Sequence, residues 1–237
     1  MTVAILIAIL PGLVLMLYIF KKDRLEKEPK GLLFRLLVLG ALSSFLPGIL
    51  ETLGDSLLLR FFSPYEKLYY IVDAFLVVAL SEEWTKRLVL RWKTRRNPNF
   101  NCTFDAIVYA AYVSLGFAIW ENILYVTGES FFEALSTGLL RAVTSVPAHF
   151  FNAVFMGLYY GREKECALRG DTAGAKRNAR LSLWVPVLLH GFYDACAFIG
   201  TTMADILFFI FLIILYIVSF RTVRRESAAD RYLPGCF

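Results

Sequence analysis

The segment ILFFIFLIILYIVSF, residues 206–220, carries no charged side chain and lies in an apolar run that begins near residue 203. A helix needs about 20 apolar residues to cross a bilayer core of about 30 Å. Comparable runs recur along the chain, of which 58% is hydrophobic and only 19% charged. The predicted spans are residues 3–20, 32–52, 68–90, 103–126, 134–160, 181–200 and 203–220. The sequence therefore predicts an all-α, polytopic transmembrane bundle of about seven spans, forming one integral-membrane domain over residues 1–237.

The basic residues predict the orientation of this bundle. All but three of the 25 Lys and Arg residues fall in four alternate segments. These segments are 21–35, 86–96, 161–180 and 221–231. Cytoplasmic loops carry the excess of Lys and Arg in membrane proteins, so the N-terminus is predicted outside and the C-terminus in the cytoplasm. The basic residues behind the net charge of +5 are then expected to contact lipid headgroups of the bilayer, and the charge does not indicate nucleic-acid binding. The four cysteines form no CxxC pair, so no disulfide framework or thiolate metal site is expected.

The run VVALSEEWTKRLVL, residues 77–90, places charged residues inside a predicted span. Glu82 and Glu83 each have a basic residue four positions later, Lys86 and Arg87, which is the favourable order for a helix ion pair. One interpretation is a neutralised helix end whose basic side chains reach the cytoplasm. The other is a polar site within the membrane. Because adjacent helical residues point about 100° apart, at least one glutamate should turn into the bundle.

Both histidines of the chain fall inside predicted spans. His190 has Asp194 one helical turn later, where a carboxylate can fix the imidazole tautomer. His149 has Asn152 three residues on. A proline precedes each histidine, by two and four residues, and removes a backbone donor. Freed carbonyls in a membrane must be satisfied by neighbours or a cavity, so a hydrated pocket is expected beside the histidines.

Glu121 and Asn122 form a further polar pair within a span, with a polar clamp between helices as the alternative to a site. The predicted cytoplasmic edges of the spans lie near residues 91, 105, 160 and 181. Glu82, His190 and His149 then lie about 13–16 Å deep, whereas Glu121 lies about 24 Å deep. Glu121 would need a tilted helix, or a span that starts later, to join the others. Arg141 lies near a predicted span end, where a structural role is expected.

This set of side chains predicts hydrolysis, by one of two routes. A glutamate can act as general base on water while His or Asn holds the developing oxyanion. Alternatively, two histidines and a glutamate can bind zinc and leave a position for water. The candidate metal ligands are His149, His190, Glu121 and Glu83. HExxH and GxSxG are absent. Two non-hydrolytic alternatives remain, namely a proton-coupled transporter that uses the buried Glu and His residues, and a non-catalytic membrane scaffold.

Five stretches together carry a family resemblance that extends over nearly the whole chain. They are EKEP (26–29), EEWTK (82–86), FDAIVYAAYVSLGFAIWENILYV (104–126), RAVTSVPAHFFNAVFMGLYYG (141–161) and VPVLLHGFYDACAF (185–198). In this order they resemble the PrsW family, intramembrane proteases that initiate destruction of a membrane-bound anti-sigma factor. The prenyl-protein (CAAX) proteases are a more distant resemblance.

The resemblance implies a multi-pass peptidase of the bacterial cell membrane, with a single-span anti-sigma factor as substrate for first-site cleavage. It implies that the catalytic residues are Glu82, Glu83, Glu121, His149 and His190. The residues expected to orient them or to hold the oxyanion are Asn122, Asn152, Asp194 and Lys86. The family is described both as glutamic and as metallo-type, so the resemblance implies either no cofactor or one divalent metal ion, most naturally zinc.

Overall fold

The computed structural model describes residues 2–62 and 65–235, and these residues form helices joined by short turns. The helices are α1 (Thr2–Lys22), α2 (Lys30–Ser43), α3 (Phe45–Phe62), α4 (Glu66–Val72), α5 (Leu80–Thr94), α6 (Asp105–Val126), α7 (Phe131–Val143), α8 (Ser145–Leu168), α9 (Thr172–Ile199) and α10 (Thr202–Ala228). A π-helical segment, Asp73–Ala79, joins α4 to α5.

Six helical stretches of the described chain are long and apolar enough to cross a membrane. They are Val3–Lys22, Lys30–Phe62, Asp105–Val126, Phe131–Leu168, Thr172–Ile199 and Thr202–Ala228. The predicted all-α polytopic bundle is thus confirmed. The predicted span 68–90 is helical too, but it is more highly charged than these six. Large apolar side chains such as Leu6 and Ile213 are about 60% exposed, as expected of a surface that faces lipid.

Two predicted spans, the second and the fifth, are each broken into two helices. The breaks lie at Ser44, between α2 and α3, and at Thr144, between α7 and α8. Each break precedes a proline, Pro47 or Pro147, by three residues. Proline has no N–H and its ring clashes with the carbonyl four residues earlier, so the helix ends before it. The proline that precedes His149 therefore accompanies a break between two helices.

The segment 161–180, expected to be a polar connector, is mostly helical. Helix α8 continues to Leu168 and α9 begins at Thr172. The turn between them contains Gly170, whose φ of +78° favours glycine. The Asp171 side chain then accepts a hydrogen bond from the Gly174 N–H at 2.8 Å and caps α9. The predicted edges at residues 160 and 181 consequently lie inside helices.

Helix α6 is the centre of the bundle, and most of its residues are buried. Two glycines bring it against α2 at backbone distance. A Cβ atom on Gly116 would lie 2.0 Å from the Leu37 carbonyl oxygen, and one on Gly40 would lie 2.0 Å from the Val113 carbonyl oxygen. Small residues at such crossings let transmembrane helices approach closely. This packing fixes the position of α6, which carries Glu121.

The loop between α1 and α2 holds two buried acids. Asp23 is fully buried and accepts a hydrogen bond from the Glu28 N–H at 3.1 Å. Glu28 accepts a hydrogen bond from the Tyr109 hydroxyl of α6 at 2.6 Å. Burial raises the pKa of Glu28 to about 7 and that of Asp23 to about 6, because desolvation outweighs these hydrogen bonds. The loop is thus tied to α6 through a carboxyl that holds its proton near neutral pH.

This raised pKa predicts a pH dependence of stability. Between the unfolded pKa of a glutamate, about 4.3, and the folded value of about 7, the folded chain retains a proton that the unfolded chain has lost. Stability should therefore decrease as the pH rises through this window. Replacing Glu28 by Gln should flatten the decrease and make the variant more stable than the wild type at pH 8. Thermal unfolding in detergent from pH 5 to pH 8 measures this, and parallel curves for the two proteins would contradict it.

Candidate active site

The two adjacent glutamates lie in the first turn of α5, immediately after the π-helical segment. Such π segments occur frequently at functional sites. Both carboxylates are buried, with 5% of Glu82 and none of Glu83 exposed. At least one glutamate was expected to face the bundle, and both do. Lys86, one turn later, binds the two carboxylates together.

Lys86 lies at the centre of the polar cluster and is fully buried. Its Nζ lies 2.9 Å from Glu82 Oε2, 2.8 Å from Glu83 Oε1 and 3.0 Å from His149 Nδ1. The same Nζ lies 4.2 Å from the centroid of the Phe117 ring, within the range of a cation–π interaction. Lys86 therefore does not extend to the cytoplasm, and the interpretation of this segment as a neutralised helix end is wrong for this residue.

Arg87 does not make the expected pair with Glu83. Its guanidinium donates to the Ser182 hydroxyl and to the Ala179 carbonyl, both at 2.7 Å, and lies 3.8 Å from Glu163. These contacts join α5 to α8 and α9. Glu83 is left to bind Lys86 and a histidine within the bundle.

Each histidine is held by acidic partners. His149 accepts from Lys86 at Nδ1, so its Nε2 carries the proton that it donates to Glu121 Oε2 at 2.8 Å. His190 places Nδ1 2.9 Å from Glu83 Oε1 and Nε2 3.2 Å from Asp194 Oδ2. The two imidazole centroids lie 5.2 Å apart. The expected contact between His190 and Asp194 is present, and the network fixes both rings.

Glu121 lies within the cluster, although the predicted helix edges placed it deeper than the other members. Besides its bond to His149, its Oε1 lies 3.0 Å from Arg141 Nη2. The difference in depth arose from the assumed helix edges. Counted from the observed helix ends, Glu121 stays about 24 Å deep, between Glu82 at roughly 18 Å and the two histidines at roughly 27–29 Å.

The remaining polar residues divide into two groups. Asn122 donates to the Ala8 carbonyl at 3.1 Å and accepts from Arg141 Nε at 2.5 Å, which matches the interhelical clamp. It does not line the cavity described below. Asn152 does line it, is 1% exposed, and its Oδ1 has no hydrogen-bond partner among the residues that the structure describes. Its carboxamide is therefore available to a substrate in the cavity.

A cavity of about 700 Å³ opens beside the cluster, between α3, α5, α6, α7, α8, α9 and α10. Its charged and polar lining includes Glu51, Glu82, Glu121, Arg141, His149, Asn152, His190, Tyr193 and Asp194. Sequence reasoning missed Glu51, although an acid within a predicted span was a usable signal. It also placed Arg141 at a span end, because the break at Thr144 that brings α7 to the site was not anticipated.

The donors at this site are of a kind that zinc binds. One ligand atom from each of Glu82, Glu83, His149 and His190 can be chosen so that all lie within 4.8 Å of one another. However, the Lys86 ammonium already lies within 3.0 Å of three of these residues. A dication at the centre of the cluster would face this buried positive charge, so the arrangement does not fit a metal ion unless Lys86 moves away.

Comparison with known proteins gives consistent results. The family model described as PrsW family intramembrane metalloprotease matches residues 28–220. Protease PrsW of Clostridioides difficile is 35% identical over 213 residues, covering 89% of this chain and 86% of that protein. Protease PrsW of Bacillus subtilis is 32% identical over 235 residues, covering 94% of each. Protease PrsW of Oceanobacillus iheyensis is 32% identical over 221 residues, covering 92% of this chain and 94% of the relative. No solved structure matches the chain.

Proposed function

Because the chain belongs to the PrsW family of intramembrane proteases, we propose that Glu82, Glu83, Glu121, His149 and His190 form its catalytic site. The chain is a multi-pass peptidase of the bacterial membrane that acts on a membrane protein. One observation supports the assignment above all. The Glu82 carboxylate faces the cavity between the two imidazoles, with Oε2 4.0 Å from His149 Nδ1 and 3.9 Å from His190 Nε2.

Glu82 is the general base of the proposed reaction. It takes a proton from a water molecule in the cavity as the water oxygen attacks the scissile carbonyl carbon. The oxyanion that forms is held by N–H donors, and the Asn152 carboxamide and the His190 imidazole line the cavity beside it. Glu82 then returns the proton to the amide nitrogen as the C–N bond breaks, which leaves a carboxylate and an amine.

The other members of the cluster position these groups. Lys86 holds the Glu82 and Glu83 carboxylates side by side, at 2.9 and 2.8 Å. Glu83 is fully buried, does not line the cavity, and orients His190. Glu121 orients His149 and is itself bound by Arg141. Such supporting contacts hold a catalytic constellation in its productive geometry.

The proposed substrate is a single-span anti-sigma factor, cut at the first site of regulated proteolysis, with residues 1–237 acting as one protease domain. The family resemblance of the paired-glutamate and histidine motifs supports this choice. Family membership also favours a peptidase over the proton-coupled transporter or the non-catalytic scaffold considered from the sequence.

The deciding experiment places the purified chain and a single-span anti-sigma factor of the same bacterium together in liposomes. Appearance of a cleaved product, mapped by mass spectrometry, is the expected result. Intact anti-sigma factor after prolonged incubation with folded protein would reject this substrate. Uptake of a solute driven by a pH gradient, without cleavage, would favour the transporter.

The position of Lys86 predicts that turnover does not require a bound metal. The purified protein should contain zinc well below one ion per chain, and cleavage should survive exhaustive chelation. Metal content by mass spectrometry, measured beside the cleavage rate, checks this. One zinc per chain that disappears in the His149→Ala/His190→Ala double variant, together with loss of cleavage on chelation, would establish the metal route instead.

A further inference from the structure

Helix α3 carries a stripe of small residues on its outer face. Ser44, Gly48, Thr52 and Ser56 recur at intervals of four, beginning at the residue before the helix. Their hydroxyls bond back to the chain, Thr52 to the Gly48 carbonyl and Ser56 to the Thr52 carbonyl, both at 2.8 Å. The stripe therefore presents no unpaired hydroxyl. Within the described residues, nothing lies within 4 Å of a Cβ placed on Gly48.

This stripe forms one wall of an apolar groove of about 430 Å³ between α3 and the end of α6. The groove is lined by Ser44, Phe45, Gly48, Ile49, Thr52, Leu53 and Leu124. Helix α3 is otherwise loosely packed. All residues of this helix are described, and among them only Pro47 is buried. The groove is thus an open surface on the least packed wall of the site.

The groove is continuous with the catalytic cavity. Ser44, Gly48 and Leu124 line both spaces. Across that shared border the cavity contains the buried Asn152 carboxamide, whose Oδ1 has no partner in the described structure. A buried acceptor without a partner costs free energy, and a peptide N–H entering from the groove would satisfy it.

We propose that this groove, between α3 and the end of α6, docks the transmembrane helix of the single-span substrate before cleavage. The inference rests on the proposed function, because it names where the membrane segment of that substrate binds. Transmembrane helices associate through small residues at intervals of four, which let backbones approach closely. A peptide bond can be cut only where the substrate helix unwinds, and unwound backbone in a membrane must lie against polar protein groups. The cavity next to the groove supplies such groups.

Photo-crosslinking tests the occupant directly. Benzoylphenylalanine is placed at Thr52, which lines the groove but not the cavity, in a Glu82→Gln background, and the anti-sigma factor is added in liposomes. The control position is Leu17 of α1, which is 60% exposed and outside the groove. An adduct mapped to the transmembrane segment of the substrate from Thr52, and not from Leu17, is expected. Equal labelling from both positions, or labelling from Leu17 alone, would overturn the proposal.

A kinetic variant separates docking from chemistry. Thr52→Phe adds bulk within the groove and should raise KM for the anti-sigma factor about tenfold with little change in kcat. Leu17→Phe should change neither. If the unmodified chain cleaves the substrate and Thr52→Phe leaves KM unchanged, docking in the groove is wrong while the proposed function stands. If the Thr52 adduct forms but no product appears with the unmodified chain, the proposed catalysis is wrong while docking stands.

Discussion

Glu82→Gln is expected to lower kcat for the anti-sigma factor by about 10³-fold, which is within the range for loss of a general base. Glutamine keeps the shape and one acceptor for the Lys86 ammonium, 2.9 Å away, but it cannot take a proton from water. KM should change little, because Glu82 meets the reacting water and not the membrane segment of the substrate. Initial rates over a range of substrate concentrations in liposomes separate the two parameters.

Glu163→Gln is the matched control for this variant. Glu163 is also an acid paired with a basic partner, Arg91, but it is only partly buried and does not line the cavity. The kcat of the Glu163→Gln variant should stay within about twofold of the wild-type value, because the change lies away from the reacting atoms. If Glu82→Gln retained more than about a tenth of the wild-type kcat, another group would have to be the base.

The helical membrane architecture and the members of the polar cluster could be predicted from the sequence. Long apolar runs leave few alternatives to spanning helices, and charged side chains within them are costly enough to indicate a site. The two histidines and the Glu82–Glu83 pair are such cases. The spacing of His190 and Asp194 also predicted a contact that the structure contains.

The three-dimensional arrangement of the site could not be predicted so well. The depths of His149 and His190 were underestimated because polarity marks where a helix leaves the lipid and not where it ends, and α8 and α9 both extend into the polar segment. Arg141 reaches the site only because the chain breaks at Thr144, a break that Pro147 signals. The contact of Lys86 with His149 joins α5 to α8, and no local pattern in the sequence encodes it.

Gly116→Ala is expected to destabilise the bundle by about 3 kcal/mol, at the upper end of the cost of overpacking. The new Cβ would lie 2.0 Å from the Leu37 carbonyl oxygen, so the backbones of α2 and α6 would have to separate. This cost exceeds the gain of about 1 kcal/mol that alanine brings to a helix. The neighbouring Phe117 packs on Lys86 and His149, so a shift of α6 should also lower the cleavage rate. Thermal unfolding in detergent should show a clearly lower midpoint temperature for Gly116→Ala. The control Gly31→Ala should unfold at the wild-type temperature, because its Cβ would meet nothing within 4 Å. Equal stability of the two variants would mean that α2 and α6 do not meet at backbone distance, and that Glu121 is not positioned by their contact.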